Sequence, residues 1–290
     1  MSSETHKEID AVTGTDTTGH TWDGIKELNN PLPRWWLWTF YITIVWGIAY
    51  TIAYPAWPLV SKATEGVLGF STRAEVAAEI ARFEDANAEI SAQLAAADLN
   101  NLAENEELAR FATSAGAAVF RNNCSQCHGS GAAGAVGYPN LLDDDWLWGG
   151  DFDNIEYTVR HGIRNEEDWD ARYSEMTAYD DIFSNEEVDQ VVQYVRLISG
   201  QEHDAGLAAG GEELFLNNCA ACHGDDGAGN RDLGAPNLTD AIWLYGGSVA
   251  ALEETVRYAR FGVMPPWGER LSEAEIKAVT AYVHQLGGGE

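Results

Sequence analysis

Two pentapeptides decide the fold of this chain: Cys124-Ser125-Gln126-Cys127-His128 and Cys219-Ala220-Ala221-Cys222-His223. Their four cysteines are the only cysteines in the sequence. Cys-x-x-Cys-His is the attachment signature of c-type haem, in which two thiols bond to one porphyrin and the adjacent histidine becomes an iron ligand. The sequence therefore predicts two covalently bound haem c groups, attached through Cys124, Cys127, Cys219 and Cys222, with His128 and His223 on the irons.

Four cysteines can serve purposes other than haem attachment. Two disulfides are common in exported domains, and paired cysteines are common zinc ligands. Both pairs here are followed directly by histidine, a regularity that neither alternative requires. A thioredoxin-like redox centre would need only one such pair. The doubled motif therefore favours haem.

The sequence around each motif occurs twice, in the same order. A Gly-x-x-x-Phe-x-Asn-Asn-Cys stretch begins at Gly116 and again at Gly211. Both copies end in a Ser-x-x-Glu pattern that opens an amphipathic helix, at Ser184 and at Ser272. We expect two tandem all-α domains, 109–200 and 206–290. In each domain the glycine should let the first and last helices touch, with Tyr194 and Tyr282 as the packing partners.

Each repeat also carries one candidate for the sixth iron ligand. Met176 and Met264 are the only methionines besides Met1, and they stand in register within the two copies. His/Met ligation raises the potential of a haem and suits electron transfer. We expect each methionine to serve the haem of its own repeat; Met264, followed by two prolines, better matches an axial loop. His161 and His284 are weaker rivals, whereas His203, in the stretch between the two repeats, is expected at the surface.

Further residues are candidates for contacts around the haems. Pro139 and Pro236 follow the motifs at similar distances, and a proline carbonyl there would accept the Nδ1–H of the proximal histidine and fix its ring. The alternative is a plain Gly-Pro turn. Residues at matched positions of the two repeats could reach the haem propionates; they are Trp146 with Trp243 and Arg160 with Arg257. The alternative for the arginines is that they are solvated.

The N-terminal part predicts one membrane span. Residues 35–54 are twenty residues without a charge, the length that crosses a bilayer as a helix. Aromatic residues stand at both ends, as in a spanning helix, and prolines at 55 and 58 end it. The span, taken as 31–60, separates a polar tail, 1–30, expected to be flexible, from a linker, 61–108, with an amphipathic helix over 71–97. No removable signal peptide is evident.

The balance of charge restricts the partners. The sequence has 46 acidic and 17 basic residues and a formal net charge of −29. Nucleic acid is disfavoured because phosphate contacts need clustered Lys and Arg. The acidic surface would steer basic partners, or it serves solubility alone; the sequence leaves both open.

A family resemblance adds to these inferences. The stretch Asn29-Asn30-Pro31-Leu32-Pro33-Arg34-Trp35-Trp36, one span and two Cys-x-x-Cys-His domains together resemble the di-haem subunit III of cbb3-type cytochrome c oxidase, also called the CcoP or FixP subunit. The resemblance covers nearly the whole chain. It implies a bacterial inner membrane protein with a cytoplasmic N-terminus and periplasmic haem domains.

The resemblance also implies partners and a role. The chain would accept electrons from a soluble or membrane donor cytochrome and relay them to a mono-haem subunit and a catalytic haem–copper subunit. Its single span contains no histidine, so we expect no oxygen reduction by this chain and assign it no catalytic residue. A free-standing tethered cytochrome and the cytochrome subunit of a periplasmic dehydrogenase are the rival functions. A haem sensor or peroxidase would need one open iron position.

Overall fold

The computed structural model describes residues 8–290, which are mostly helical. Contacts between residues divide the chain into two compact units, and the boundary along the chain lies between Asp85 and Ala86. Each unit is described by itself. The helices are α1 (Arg34–Ala53), α2 (Thr72–Ala96), α3 (Glu106–Val119), α4 (Ser125–His128), α5 (Phe152–His161), α6 (Asn185–Ile198), α7 (Ala205–Asn218), α8 (Ala220–His223), α9 (Val249–Tyr258) and α10 (Glu273–His284).

The N-terminal unit begins with a hairpin where a flexible tail was predicted. Strands β1 (Thr17–Trp22) and β2 (Ile25–Leu28) pair antiparallel, with Trp22 opposite Ile25. Asp23 and Gly24 form the two-residue loop and both have positive φ, as a tight hairpin turn requires. The tail prediction is therefore wrong for this segment, and residues 1–7 lie outside the described residues.

Helix α1 is the predicted span. It has a mean hydropathy of 1.4, and none of its most apolar window is buried within the protein. A core helix of a soluble domain would bury one face, so the exposed apolar surface of α1 favours insertion into lipid.

Helix α2 confirms the predicted linker helix. The Ser71 hydroxyl, just before it, accepts a hydrogen bond from the Ala74 amide. Val76 and Ile80 are exposed, whereas Leu94 is fully buried. The end of α2 packs with Leu99, Leu102 and Leu108 in a core of the C-terminal unit. This part of the predicted linker therefore belongs to the folded body.

The C-terminal unit exchanges helices between the two repeats. Helix α10, the last helix of the second repeat, packs on α3, the first helix of the first repeat. Helix α6, the last helix of the first repeat, packs on α7, the first helix of the second. Each core therefore contains helices from both repeats, so the predicted bounds 109–200 and 206–290 follow the sequence repeats and not the packed cores.

The two helix-contact glycines show the exchange most directly. A Cβ atom on Gly116 would lie 2.0 Å from the Ala278 carbonyl oxygen and 2.7 Å from the Tyr282 Cβ. A Cβ atom on Gly211 would lie 2.1 Å from the Gln190 carbonyl oxygen. The predicted glycine–tyrosine contacts therefore exist, but each joins one repeat to the other: Gly116 with Tyr282, and Gly211 with Tyr194.

Candidate haem centres

The two Cys-x-x-Cys-His motifs adopt the same local structure. In each, the first cysteine directly precedes a short helix, α4 or α8, that contains the other four residues and ends at a glycine with positive φ. Nδ1 of His128 lies 3.1 Å from the Pro139 carbonyl oxygen, and Nδ1 of His223 lies 3.1 Å from that of Pro236. The predicted proline contacts are confirmed.

These contacts prepare each histidine as a ligand. Burial lowers the pKa of His128 and of His223, against the opposing effect of the proline hydrogen bond, so both rings are neutral near pH 7. A neutral imidazole that donates Nδ1–H to a carbonyl presents the lone pair of Nε2 for a metal. The geometry is therefore that of a proximal iron ligand.

The second motif faces a deep cavity of about 530 Å³. The volume lies in the range of cofactor pockets, roughly 300–1,000 Å³. Apolar core residues including Val191, Phe215 and Leu252 form its walls. The candidate ligands that line it are Cys219, Cys222, His223 and Met176.

Met176 therefore belongs with the second motif and not with the first. The loop that carries it runs along the end of α9, where the Tyr179 amide donates to the Val256 carbonyl at 3.1 Å. The adjacent Asp180 amide donates to the Arg257 carbonyl at 3.1 Å. These bonds dock the first repeat's methionine loop on the second repeat.

Met264 is exchanged in the reciprocal direction. It packs against the core that contains Cys124, Val119 and Phe120. Its amide and carbonyl each bond to the backbone of Ile163, both at 3.0 Å, which docks its loop beside α5. The assignment of each methionine to its own repeat is wrong in the structure, although iron ligation by Met176 and Met264 stays a prediction.

The two rival histidines, His161 and His284, and also His203, have other partners. Nδ1 of His161 lies 2.9 Å from an Asp168 carboxylate oxygen, and Nδ1 of His203 lies 2.9 Å from the Gln201 carbonyl. The ring of His284 stacks on Phe152 with centroids 3.8 Å apart. None of the three lines the cavity of the second motif.

The arginines expected near propionates hold the exchanged helices instead. Arg160 on α5 makes a bidentate ion pair with Glu273, the first residue of α10, with both N–O distances 2.7 Å. Arg257 on α9 lies 3.1 Å from Asp180 and 2.8 Å from the side chain of Asn185, the first residue of α6. Among the paired tryptophans, Trp243 lines the cavity, and Trp146 donates to the Gly288 carbonyl.

The cysteine environment disfavours the alternatives to haem. All four cysteines are free, and Cys124 and Cys219 pack in different hydrophobic cores, so they cannot share one zinc ion. Burial, with a smaller effect of the neighbouring cysteine, raises the pKa of Cys124 and Cys219 to about 11.

Residues that the sequence did not reveal also line this cavity. Arg164 and Asp145 come from the first repeat, and Tyr245 and Arg260 come from the second. The repeat gave no signal for Arg164 or Asp145 because the aligned residues of the second copy are Phe261 and Ile242.

Histidine, two cysteines and methionine around an apolar cavity fit a covalently bound haem, and the helical frame around them defines a c-type cytochrome. Comparisons with known proteins agree. Residues 113–199 match the family model described as cytochrome c, and residues 206–283 match that of cbb3-type cytochrome c oxidase subunit III. Residues 14–61 match the N-terminal domain of the cbb3 oxidase protein FixP.

Whole-chain relatives define the particular family. The chain is 63% identical to the cbb3-type cytochrome c oxidase subunit CcoP of Cereibacter sphaeroides, over 94% of this chain and 95% of the relative. It is 49% identical to subunit FixP of Sinorhizobium medicae, over 99% and 100% of the two chains. Identity to subunit CcoP of Rhodobacter capsulatus is 54%, over 94% and 96%. The chain belongs to the CcoP/FixP family of cbb3-type cytochrome c oxidase subunits.

Proposed function

We propose that this chain is the membrane-anchored di-haem electron-transfer subunit of a cbb3-type cytochrome c oxidase. It accepts electrons from a soluble or membrane donor cytochrome and relays them through a mono-haem subunit toward a catalytic haem–copper subunit. Family membership, the apolar helix α1 and the two haem-binding motifs support this role.

The observation that carries the proposal is the position of both axial candidates in the lining of one cavity. His223 and Met176 line one apolar cavity, so both axial positions of a haem there would be filled by the protein. Haem iron with two protein ligands supplies a one-electron carrier with no position for substrate. Helix α1, the candidate span within residues 8–290, carries no histidine that could bind a haem or copper in the membrane, which supports oxygen reduction by another subunit.

The proposed orientation places the N-terminus in the cytoplasm and the haem-binding unit in the periplasm of a bacterial inner membrane. Few basic residues flank α1: Lys26 and Arg34 precede or begin it, and Lys62 and Arg73 follow it. Charge therefore does little to set orientation. The site of covalent haem attachment, outside the cytoplasmic membrane in bacteria, supports the assignment.

A pull-down tests the proposal. The tagged chain is purified from detergent-solubilised membranes and assayed for haem b and for oxygen uptake with an artificial donor. We expect haem b to co-purify with oxygen uptake. Haem c alone, without oxygen uptake, would contradict membership of an oxidase and favour a free-standing or dehydrogenase-linked cytochrome.

A further inference from the structure

Arg164 is a cation in the wall of the second haem cavity. It lies in the loop after α5, in the first repeat, yet it lines the same cavity as Met176 and His223. Its Nε donates to the Ser174 carbonyl, and its Nη1 lies 3.4 Å from the Gly262 carbonyl oxygen. These two contacts hold the guanidinium in place and leave N–H donors of a five-donor group for another ligand.

The charge of Arg164 lacks an ion-pair partner within residues 8–290. The other arginine of the cavity, Arg260, pairs with Glu254 at 3.1 Å. Burial lowers the pKa of Arg164; the groups that act in the opposite direction are Tyr245, Glu175 and Tyr173, in that order. A half-buried cation without an ion pair is costly, and an anion in the cavity would compensate for it.

We propose that Arg164 binds a propionate of the second haem and raises the potential of that centre. This inference rests on the proposed function, because it requires a haem on Cys219 and Cys222. A haem carries two carboxylates on its edge, and a guanidinium binds a carboxylate in a bidentate, charge-assisted geometry. A fixed positive charge beside the haem disfavours the more positive, oxidised iron, so it favours reduction.

The charge distinguishes the two centres. In the alignment of the repeats, Phe261 takes the place of Arg164, and the guanidinium carbon lies 5.8 Å from the Phe261 ring centroid. Aligned positions of the two repeats therefore meet, and only one of them carries a charge. Arg164 thus gives one of two similar centres a higher affinity for electrons.

The test is a redox titration of the full chain in its purified complex, with both haems attached. Arg164→Gln removes the charge, and Arg164→Lys keeps it. Arg172→Gln is the matched control, since Arg172 is also half-buried but lies over the rings of Trp148 and Tyr157 and does not line the cavity. The second centre is identified as the one whose potential moves in Met176→His.

In Arg164→Gln we expect the equilibrium constant for reduction of the second centre to fall about tenfold, which is about 59 mV for one electron. The potential of the first centre should not change in Arg164→Gln. In Arg164→Lys and Arg172→Gln, the potentials of both centres should stay close to those of the parent. An unchanged second centre in Arg164→Gln would overturn the proposal. So would equal shifts of both centres, since the Ser174 and Gly262 contacts lie near both methionines and their loss would loosen both loops.

If Arg164→Gln does not accumulate with haem, Arg164→Lys decides. A parent-like potential supports a role for the charge, and a fall as large as that expected for Gln contradicts it. The potential of the second centre requires the attached haem, but it can be measured whether or not the complex takes up oxygen. Failure of oxygen uptake in the parent complex would refute that role, whereas an unchanged potential in an active complex would refute only the role of Arg164.

Discussion

The first and second candidate haem centres use the same motif, but the residues that form them come from different parts of the chain. The second core is assembled from one continuous stretch, from Met176 to Val256. The first core combines residues from Val119 to Val159 with Met264 and α10, so the entire second core lies between its parts in sequence. The sequence repeat and the structural unit therefore do not coincide, although both proximal histidines have the same 3.1 Å contact with a proline carbonyl.

The largest effect should come from replacing a candidate methionine ligand with histidine. In a chain with Cys124 and Cys127 replaced by Ala, only the second haem can attach. Met176→His in this background should lower the reduction equilibrium constant more than about a hundredfold, because axial ligand identity dominates haem potentials. Met264→His is the matched control and should leave the titration unchanged. The opposite result would restore the assignment of each methionine to its own repeat.

Substitution of one tyrosine at a time should loosen one helix pair and leave the other intact. Tyr282 lies 5.4 Å from Phe120, and Tyr194 lies 5.2 Å from Phe215, between ring centroids. Removing a packed aromatic ring costs about 3 kcal/mol, so Tyr282→Ala should speed amide exchange in α3 and Tyr194→Ala in α7. Hydrogen exchange measured by mass spectrometry resolves these helices. Faster exchange of α7 in Tyr282→Ala would contradict the exchanged packing.

A smaller effect is expected from the arginine contacts that hold the exchanged helices. Arg160→Gln removes the bidentate pair with Glu273 and should destabilise the start of α10 by about 1 kcal/mol. Arg257→Gln is the counterpart for α6. The Arg160 hydrogen bond holds the pKa of Glu273 below its usual value of 4.5. The ion pair therefore contributes its full stability above pH 4.5, and this stability is lost as the pH falls through the lowered pKa of Glu273. Hydrogen exchange of α6 and α10, measured at pH 7 and in acid, checks the destabilisation of α10 and its pH dependence. Equal loosening of both helices by Arg160→Gln would contradict a role of this pair in α10.

Asp145, in the lining of the second cavity, makes the stability of the protein depend on pH. Burial, then Asp240 and Asp143, raise its pKa from 3.8 to about 6. The native state therefore binds more protons than the unfolded state between these values, and stability falls as pH rises through that window. With a discount for solvent screening, Asp145→Asn should stabilise the protein by about 1 kcal/mol at pH 7 and have no effect at about pH 3.

Thermal unfolding at the two pH values measures this effect of Asp145. The exposed Asp225→Asn is the control and should change stability little. Equal stabilisation by Asp145→Asn at both pH values would show that its effect does not come from ionisation.

Local chemistry made much of the fold predictable. The Cys-x-x-Cys-His motif predicts where haem attaches, and both Ser-x-x-Glu pairs form the predicted capping boxes at Ser184 and Ser272. The length and apolar composition of α1 identified the span. The hairpin was missed although Asp23-Gly24 is a strong turn signal, because the flanking residues are polar and lack an alternating apolar pattern.

Helix exchange could not be predicted from the repeat. Val188, Val192 and Val195 on α6 form the same kind of apolar face as Ile276, Val279 and Val283 on α10. Periodicity shows that a helix has a buried face but not which partner covers it. Because α3 and α7 each offer a glycine at the crossing point, either pairing would satisfy the pattern. The roles of Arg164 and Asp145 depend on this exchange and were hidden with it.

An experimental structure of the haem-loaded complex, resolved to the level of side chains, tests the central claim most directly. We predict the sulfur of Met264 on the iron that carries His128, and the sulfur of Met176 on the iron that carries His223. Bonds of Met176 to the iron at His128 and of Met264 to the iron at His223 would contradict the exchange of segments between the two repeats.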